Sequence, residues 1–493
     1  METGLNQLKS ELDDLDCEMI EEVEKRISEA GEIEPRNYNS WKNLIHYLTL
    51  RNADRRDLQL SLHNAGLSAL SNSESHVRFQ LQAIQRRLGK SYAHKDLATC
   101  TYPFAKAILE ENVNRLFGQQ KSKSHHVMVT LDGQNGTNAE EIADFMKRGM
   151  RIARINLAHD SEQDWLAIIQ AIRQAEQMNN GSCKIYMDLA GPKIRTQFLG
   201  MQVDESALKI DKGGCFYLTD DAEGLDQSKL VMISPTETSI LPFLKKGERV
   251  LIDDGKIQGI IERKISDFRV EVRVTHIFKK KPTVKPGKGI NFPDSKLKID
   301  PLTDYDLKVL PFAVKHADLI GYSFVNRPKD LAHLMEEMRK ISEEIPPAIL
   351  KIETALAVTN LPALLIEGMK MPFVGVMIAR GDLAVEVGFE RMSEVQDEIL
   401  WICEAAHVPV IWATQVMESL HKSGLATRAE ITDASKATLA ECIMINKGAH
   451  TAAVLESLAE IAKRMEGHRD KKRYTFRALS IAQRFLSKKS GPL

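Results

Sequence analysis

Lys351 and Glu353 sit two residues apart at the end of the apolar run "PAILKIE", and on a strand that spacing turns both side chains to one face. Asp382 closes a second such run, "VGVMIARGD", just behind Arg380 and Gly381. Two carboxylates on neighbouring strands suit a hard divalent cation, Mg²⁺ or Mn²⁺. Such an ion takes one or two protein carboxylates and completes its shell with water and substrate oxygens. Arg154, Arg195 and Lys351 would surround it, and that surplus of positive charge fits a substrate bearing phosphate and carboxylate. An ammonium beside a metal is what a developing enolate or a transferring phosphoryl group requires. The plain alternative is a pair of loop caps, or salt bridges from Lys351 and Arg380 to the two carboxylates.

These residues need elements that bring them together. From His125 onward, short apolar runs alternate with helical patterns such as "EQDWLAIIQAIRQAEQM". The runs are "HHVMVTLDG", "RIARINLAH", "KIYMDLAG", "DLIGYSFV", "PAILKIE", "VGVMIARGD", "PVIWATQV" and "CIMIN". Eight such units predict an α/β fold, a TIM (β/α)₈ barrel whose strands are buried on both faces, with a doubly wound sheet as the alternative. In a barrel, chemistry gathers where strands end. Those ends carry Arg154, Asn156 and His159, then Asp188 and Arg195, Ser323, Lys351 and Glu353, Arg380 and Asp382, and Thr414. Gly381 would let a substrate approach the backbone where a Cβ would obstruct it.

The spacing divides the chain further. Residues 1–120 show i, i+3, i+4 apolar spacing and predict a helical appendage that packs on the body or binds a protein partner. The barrel takes 121–197 and 288–470, interrupted by an inserted β domain at 198–287. In that insertion Asp254-Gly255 lies between two β-rich runs as a hairpin signal. Residues 471–493 form a C-terminal helix or basic tail.

Lys plus Arg total 67 against 68 Asp plus Glu, a balance that argues against nucleic acid or a membrane surface as partner. Six scattered cysteines without a CxxC pair, and a polar, acidic N-terminus, point to a reduced, cytoplasmic protein.

Across about 125–465 the chain resembles the pyruvate kinases. "RIARINLAHD", "DLAGPKIRT", "KGINFP", "LKIE", "ARGDLAVEV", "WATQVMESL" and "ATRAEITDA" follow the family's motifs in order and spacing, and the insertion falls where the family carries its lid. The resemblance implies phosphoenolpyruvate and ADP as substrates, with pyruvate and ATP as products. Arg154 and Lys351 would bind the phosphoryl group, and Lys351 would also stabilise the enolate. Glu353 and Asp382 would hold the divalent cation. The amides at Gly381 and Asp382, with Thr414, would take the substrate carboxylate. Thr414 would join the network that protonates the enolate carbon, and His159, Arg195 and Lys288 would line the nucleotide side. A homo-oligomer is also expected.

Departures from the family carry expectations of their own. The monovalent-cation site reads Asn156, Ala158, Asp188 and Leu189, so two oxygen ligands are missing, and Lys193 replaces the family's nearby glutamate. A fixed ammonium can supply that cation's charge, which implies independence of K⁺. "CIMINKGAH" loses the family's glutamate and places Lys447 and His450 nearby. No counterpart of the family's C-terminal effector domain follows, which implies no control of that kind. Two other readings stand beside an active kinase: an impaired homologue kept for binding, and a metal-dependent oxo-acid lyase or aldolase.

Overall fold

The computed structural model describes all residues except 1, 120–124, 135, 201–202, 204, 224–230, 447, 467–468, 471–472 and 475–493. Eight parallel strands close a barrel in the order 1-8-7-6-5-4-3-2. They are β1 (His126–Leu131), β2 (Met150–Asn156), β3 (Lys184–Asp188), β4 (Leu319–Tyr322), β5 (Ala348–Ile352), β6 (Val374–Ala379), β7 (Val410–Ala413) and β8 (Cys442–Ile445). Every residue of β4 through β8 is buried, as expected of strands covered on both faces. The barrel replaces the doubly wound alternative. One feature differs from expectation: Arg380, Gly381 and Asp382 do not extend β6 but form the first turn of a helix, Arg380–Val387.

The inserted sheet has seven strands and runs from Thr196–Phe198 to Ile290–Asn291. Its flanking strands therefore begin before residue 198 and end after 287. The edges widen because Arg195 pairs with Gly289 across the two connecting chains. Arg249–Ile252 and Ile257–Ser266 form an antiparallel hairpin. Its turn carries Asp253, Asp254 and Gly255 at φ of 55°, 57° and 78°, a conformation that Gly and Asp tolerate best.

Among the described residues five α-helices precede the barrel: α1 (Glu2–Ala30), α2 (Tyr38–Arg51), α3 (Arg56–Asn64), α4 (Val77–Arg87) and α5 (Tyr102–Phe117). Leu116 and Phe117, which end α5, join Met128, Ile152, Ile349 and Met377 in the cluster that fills the barrel's interior. Leu12, Trp41 and Leu81 belong to the same buried cluster as the barrel's outer layer. The region thus packs on the barrel. Asparagine side chains finish the seam. Asn37 Nδ2 donates to the carbonyls of Met369 and Met371, at 3.1 and 2.8 Å, and Asn112 Nδ2 donates to His407 O at 2.8 Å. Asn43 Nδ2 donates to Ala405 O at 2.8 Å and Glu74 O at 2.7 Å, while its Oδ1 accepts from Val77 N at 2.9 Å. No helix among the described residues is long and apolar enough to cross a membrane. Of 471–493 only Arg473–Tyr474 is described, paired with Arg469–Asp470, so the expected terminal helix lies outside the described residues.

Asn43 is 1% exposed and its three bonds have no water to replace them. Asn43→Ala strands two carbonyls and one amide, so urea unfolding should report a loss of about 2–4 kcal/mol. A change below about 0.5 kcal/mol would mean that the seam is held by apolar packing alone.

Candidate active site

Side chains that alternate inward along each strand change character toward the barrel's C-terminal end. On β2 Ile152 is followed by Arg154, on β3 Tyr186 by Asp188, and on β5 Ile349 by Lys351. The lower residues belong to the apolar interior. The upper ones form a connected set of charges.

Asp188 is its centre and is fully buried. Its Oδ2 accepts from Arg154 Nη2 at 2.5 Å and Nε at 3.0 Å. Its Oδ1 lies 3.2 Å from Lys351 Nζ and accepts from the Tyr186 hydroxyl at 3.2 Å. Lys351 Nζ also reaches Glu353 Oε1 at 3.1 Å and donates to Ser323 Oγ at 2.6 Å. Ser323 Oγ in turn donates to Leu189 O at 2.6 Å. Arg154 Nη1 donates to Thr130 Oγ1 at 3.1 Å. Glu353 Oε2 accepts from the Phe324 amide at 2.7 Å, where Phe324 holds φ of 55°.

The charges tune one another. Burial alone would raise the Asp188 carboxyl, but Lys351 and Arg154 outweigh it and hold the group below the usual carboxylate range. Burial likewise opposes the charge on Lys351, and Asp188 with Glu353 overcomes it, so the ammonium titrates above an ordinary lysine. Glu353 goes the other way. Burial raises it, Lys351 pulls it back, Asp382 adds to the rise, and the result lies above the usual range. Glu353 and Asp382 thus repel each other across a site whose donors are oxygens, which a divalent cation between them would relieve. No group of three or more His, Cys, Asp or Glu gathers among the described residues, so a cation held here would need water and substrate oxygens as well.

Gly381 and Asp382 present the first turn of their helix beside β7. Gly381 N donates to Thr414 Oγ1 at 3.0 Å. Thr414 and Gln415 hold φ of 64° and 54°, an outlier for a β-branched residue and the kind of strain that gathers at functional sites. Lys193 Nζ lies 2.7 Å from Asp382 Oδ1.

Arg380 leaves the group. Its Nε donates to Ala413 O at 3.0 Å, Nη1 pairs with Asp433 Oδ1 at 2.6 Å, and Nη2 donates to Thr414 O. It braces the turn after β7 and bonds neither Glu353 nor Asp382, so the alternative of a salt bridge to those carboxylates does not apply to it. Lys351 does pair with Glu353, as that alternative supposed, and it does so inside a larger set.

Of the residues expected on the nucleotide side, Arg195 Nη1 donates to Gly287 O at 3.1 Å, and Lys288 Nζ lies 3.4 Å from Asp253 Oδ1. Both therefore sit where the inserted sheet joins the barrel. His159 is exposed after β2, and its carbonyl accepts from Trp165 Nε1 at 2.9 Å. Among the described residues its imidazole bonds neither Arg195 nor Lys288. Asn156 Oδ1 accepts from Ala158 N at 3.2 Å. With both Asp188 oxygens already bonded, Asn156 and Asp188 are spent on local contacts. Lys447 lies outside the described residues, and His450 sits at the start of the helix Thr451–Met465.

Sequence reasoning missed Thr130, Tyr186 and Gly321. The signal for Tyr186 was available, since it lies two residues before Asp188 on one strand. Gly321 gives no such signal, because its role is the space it leaves. A Cβ there would fall 1.9 Å from Tyr186 Oη and 2.5 Å from Asp188 Oδ1. Gly321→Ala should therefore cost at least about 1–3 kcal/mol in urea unfolding. The double variant Gly321→Ala/Tyr186→Phe, which removes the clashing hydroxyl, should recover part of the loss. Equal stability of Gly321→Ala and wild type would overturn this account of the crowding.

The family model "Pyruvate kinase, barrel domain" matches residues 122–454. The pyruvate kinase of Thermotoga maritima is 30% identical over 352 residues, covering 70% of this chain and 71% of that protein. That of Thermococcus litoralis is 30% identical over 357 residues, covering 71% of each. A crystal structure of a pyruvate kinase from Cryptosporidium parvum superposes with a TM-score of 0.62 at 28% identity, covering 73% of this chain and 71% of that one. Barrel, inserted sheet and relatives agree, and the chain belongs to the pyruvate kinase family.

Proposed function

We propose that this chain transfers the phosphoryl group of phosphoenolpyruvate to ADP, giving pyruvate and ATP. The observation that carries the reading is the Lys351 ammonium, held in the barrel by Asp188, Glu353 and Ser323 with Arg154 across the same carboxylate. Two cations pre-set on one buried anion face a transferring phosphoryl group without reorganising, which is where electrostatic catalysis gains most. Lys351 would also hold the enolate oxygen as its bond to phosphorus breaks. The substrate carboxylate would meet the helix start at Gly381 and Asp382, taking the Gly381 amide from Thr414 Oγ1 and freeing that hydroxyl for the proton network. Arg195 and Lys288, at the base of the inserted sheet, would bind nucleotide phosphates, with His159 beside them.

Glu353 and Asp382 would hold Mg²⁺ or Mn²⁺. When bound, the cation supplies charge neutralisation to the phosphoryl and enolate oxygens. A pyruvate-coupled assay with phosphoenolpyruvate, ADP and either metal should show turnover that Lys351→Met lowers by roughly 10²–10³ in kcat. Absence of wild-type turnover with both metals would sink the reading. Binding without turnover is the reading that the Lys193–Asp382 contact favours, since the ammonium occupies one carboxylate oxygen, and the same assay separates the two.

The 2.7 Å contact also supports a fixed charge in place of a monovalent cation. Activity in K⁺-free buffer should equal activity with K⁺, and Lys193→Glu should make it depend on K⁺. A wild-type rate that rises on adding K⁺ contradicts this.

A further inference from the structure

The seam between the N-terminal helices and the barrel forms a half-open cleft of about 790 Å³, within the range of small-molecule sites. Its walls are the end of α2, the segment leading into α3, residues 70–74, and Asp397 and Trp401 from the barrel helix Met392–Ala405. None of its lining residues belongs to the set at the barrel mouth.

The charges on these walls are unevenly matched. Arg56 is spent on Asp54, with contacts of 2.5–3.0 Å, and Asp397 is spent on Lys436 at 2.9 Å. Arg51 has no carboxylate partner among the described residues. Its guanidinium lies over the rings of Tyr47 and Trp401, 5.7 and 5.1 Å from their centroids, and Nη1 donates to the Tyr47 hydroxyl at 2.9 Å. Arg55 reaches Glu18 through Nη2 at 2.6 Å and keeps a buried Nε without an acceptor.

A guanidinium laid on two aromatic faces has lost much of its freedom, and Arg51, which is solvent-exposed, keeps N–H groups to donate. A buried donor without an acceptor costs about 1–3 kcal/mol, so its presence beside a cleft points to an acceptor that arrives from outside. Glu74 is the lining carboxylate without an ion pair among the described residues, and it opposes an anion there. Apolar Leu50, Leu58 and Leu70 complete the walls and lower the local dielectric, which strengthens a charge-assisted bond.

We propose that this seam cleft binds a small-molecule oxyanion of two negative charges, a phosphate monoester or a dicarboxylate, with Arg51 as its principal contact and Arg55 as its second. The site is independent of the barrel chemistry and stands whether or not the chain turns over phosphoenolpyruvate. Isothermal titration of the full chain with glycerol phosphate and with succinate tests it. At least one probe should bind, and the stronger binder identifies the anion. Arg51→Met should weaken that binding by about tenfold, the worth of one charge-assisted contact. Glu74→Gln, which removes the opposing charge, should tighten it, while Lys351→Met should leave it unchanged. Lack of heat with both probes overturns the proposal. So does an affinity that Arg51→Met and Glu74→Gln leave unmoved, and so does binding that Lys351→Met abolishes, which would place the anion at the barrel mouth.

Discussion

Asp188 is the constraint on which the upper half of the barrel depends. A carboxylate with no exposed surface is tolerable only when its charge is matched and its lone pairs are used, and Arg154, Lys351 and Tyr186 do both. The arrangement works in reverse as well. Two cations this close would repel each other without the anion between them, so Asp188 keeps both charged and at a set separation. The apolar floor of Leu116, Phe117 and Ile349 excludes water from below. Gly321 supplies the volume that Tyr186 and Asp188 need.

From that centre the rest of the mouth follows outward. Lys351 ties β5 to Ser323 after β4, and Glu353 caps the turn at Phe324. Arg380, rather than joining the acidic pair, fastens the backbone at the end of β7 through Ala413 and Thr414. This bracing holds Thr414 in a conformation that costs free energy, in contact with the Gly381 amide. The N-terminal helices act at the opposite end of β7, where Asn43 and Asn112 bond the carbonyls of Ala405 and His407 that precede it.

Most of the fold was legible because it rests on local rules. Continuous apolar runs gave all eight barrel strands, and the i, i+3, i+4 spacing gave the N-terminal helices. The barrel-mouth residues were legible for the same reason, since an inward-facing charge one pleat above an apolar residue sits at the rim. Arg380 was not. Its register suggested a strand end, but the backbone had already turned into a helix, and that turn re-aims the side chain toward Asp433. Asp188 was recognised as a polar strand end, but its partners Arg154 and Lys351 lie on strands distant in sequence.

The sequence by itself determined which side chains stand at the strand ends, because side-chain direction on a strand has period two and strand order follows chain order, while the family was legible only through the resemblance of its motifs. Only the tertiary structure decided which charges meet. Lys351 shares Asp188 with Arg154, Lys193 reaches Asp382, and Arg51 lies over Trp401 across the seam. Pairing depends on distances between elements tens to hundreds of residues apart, and those are set by packing volume, down to the one Cβ that Gly321 lacks.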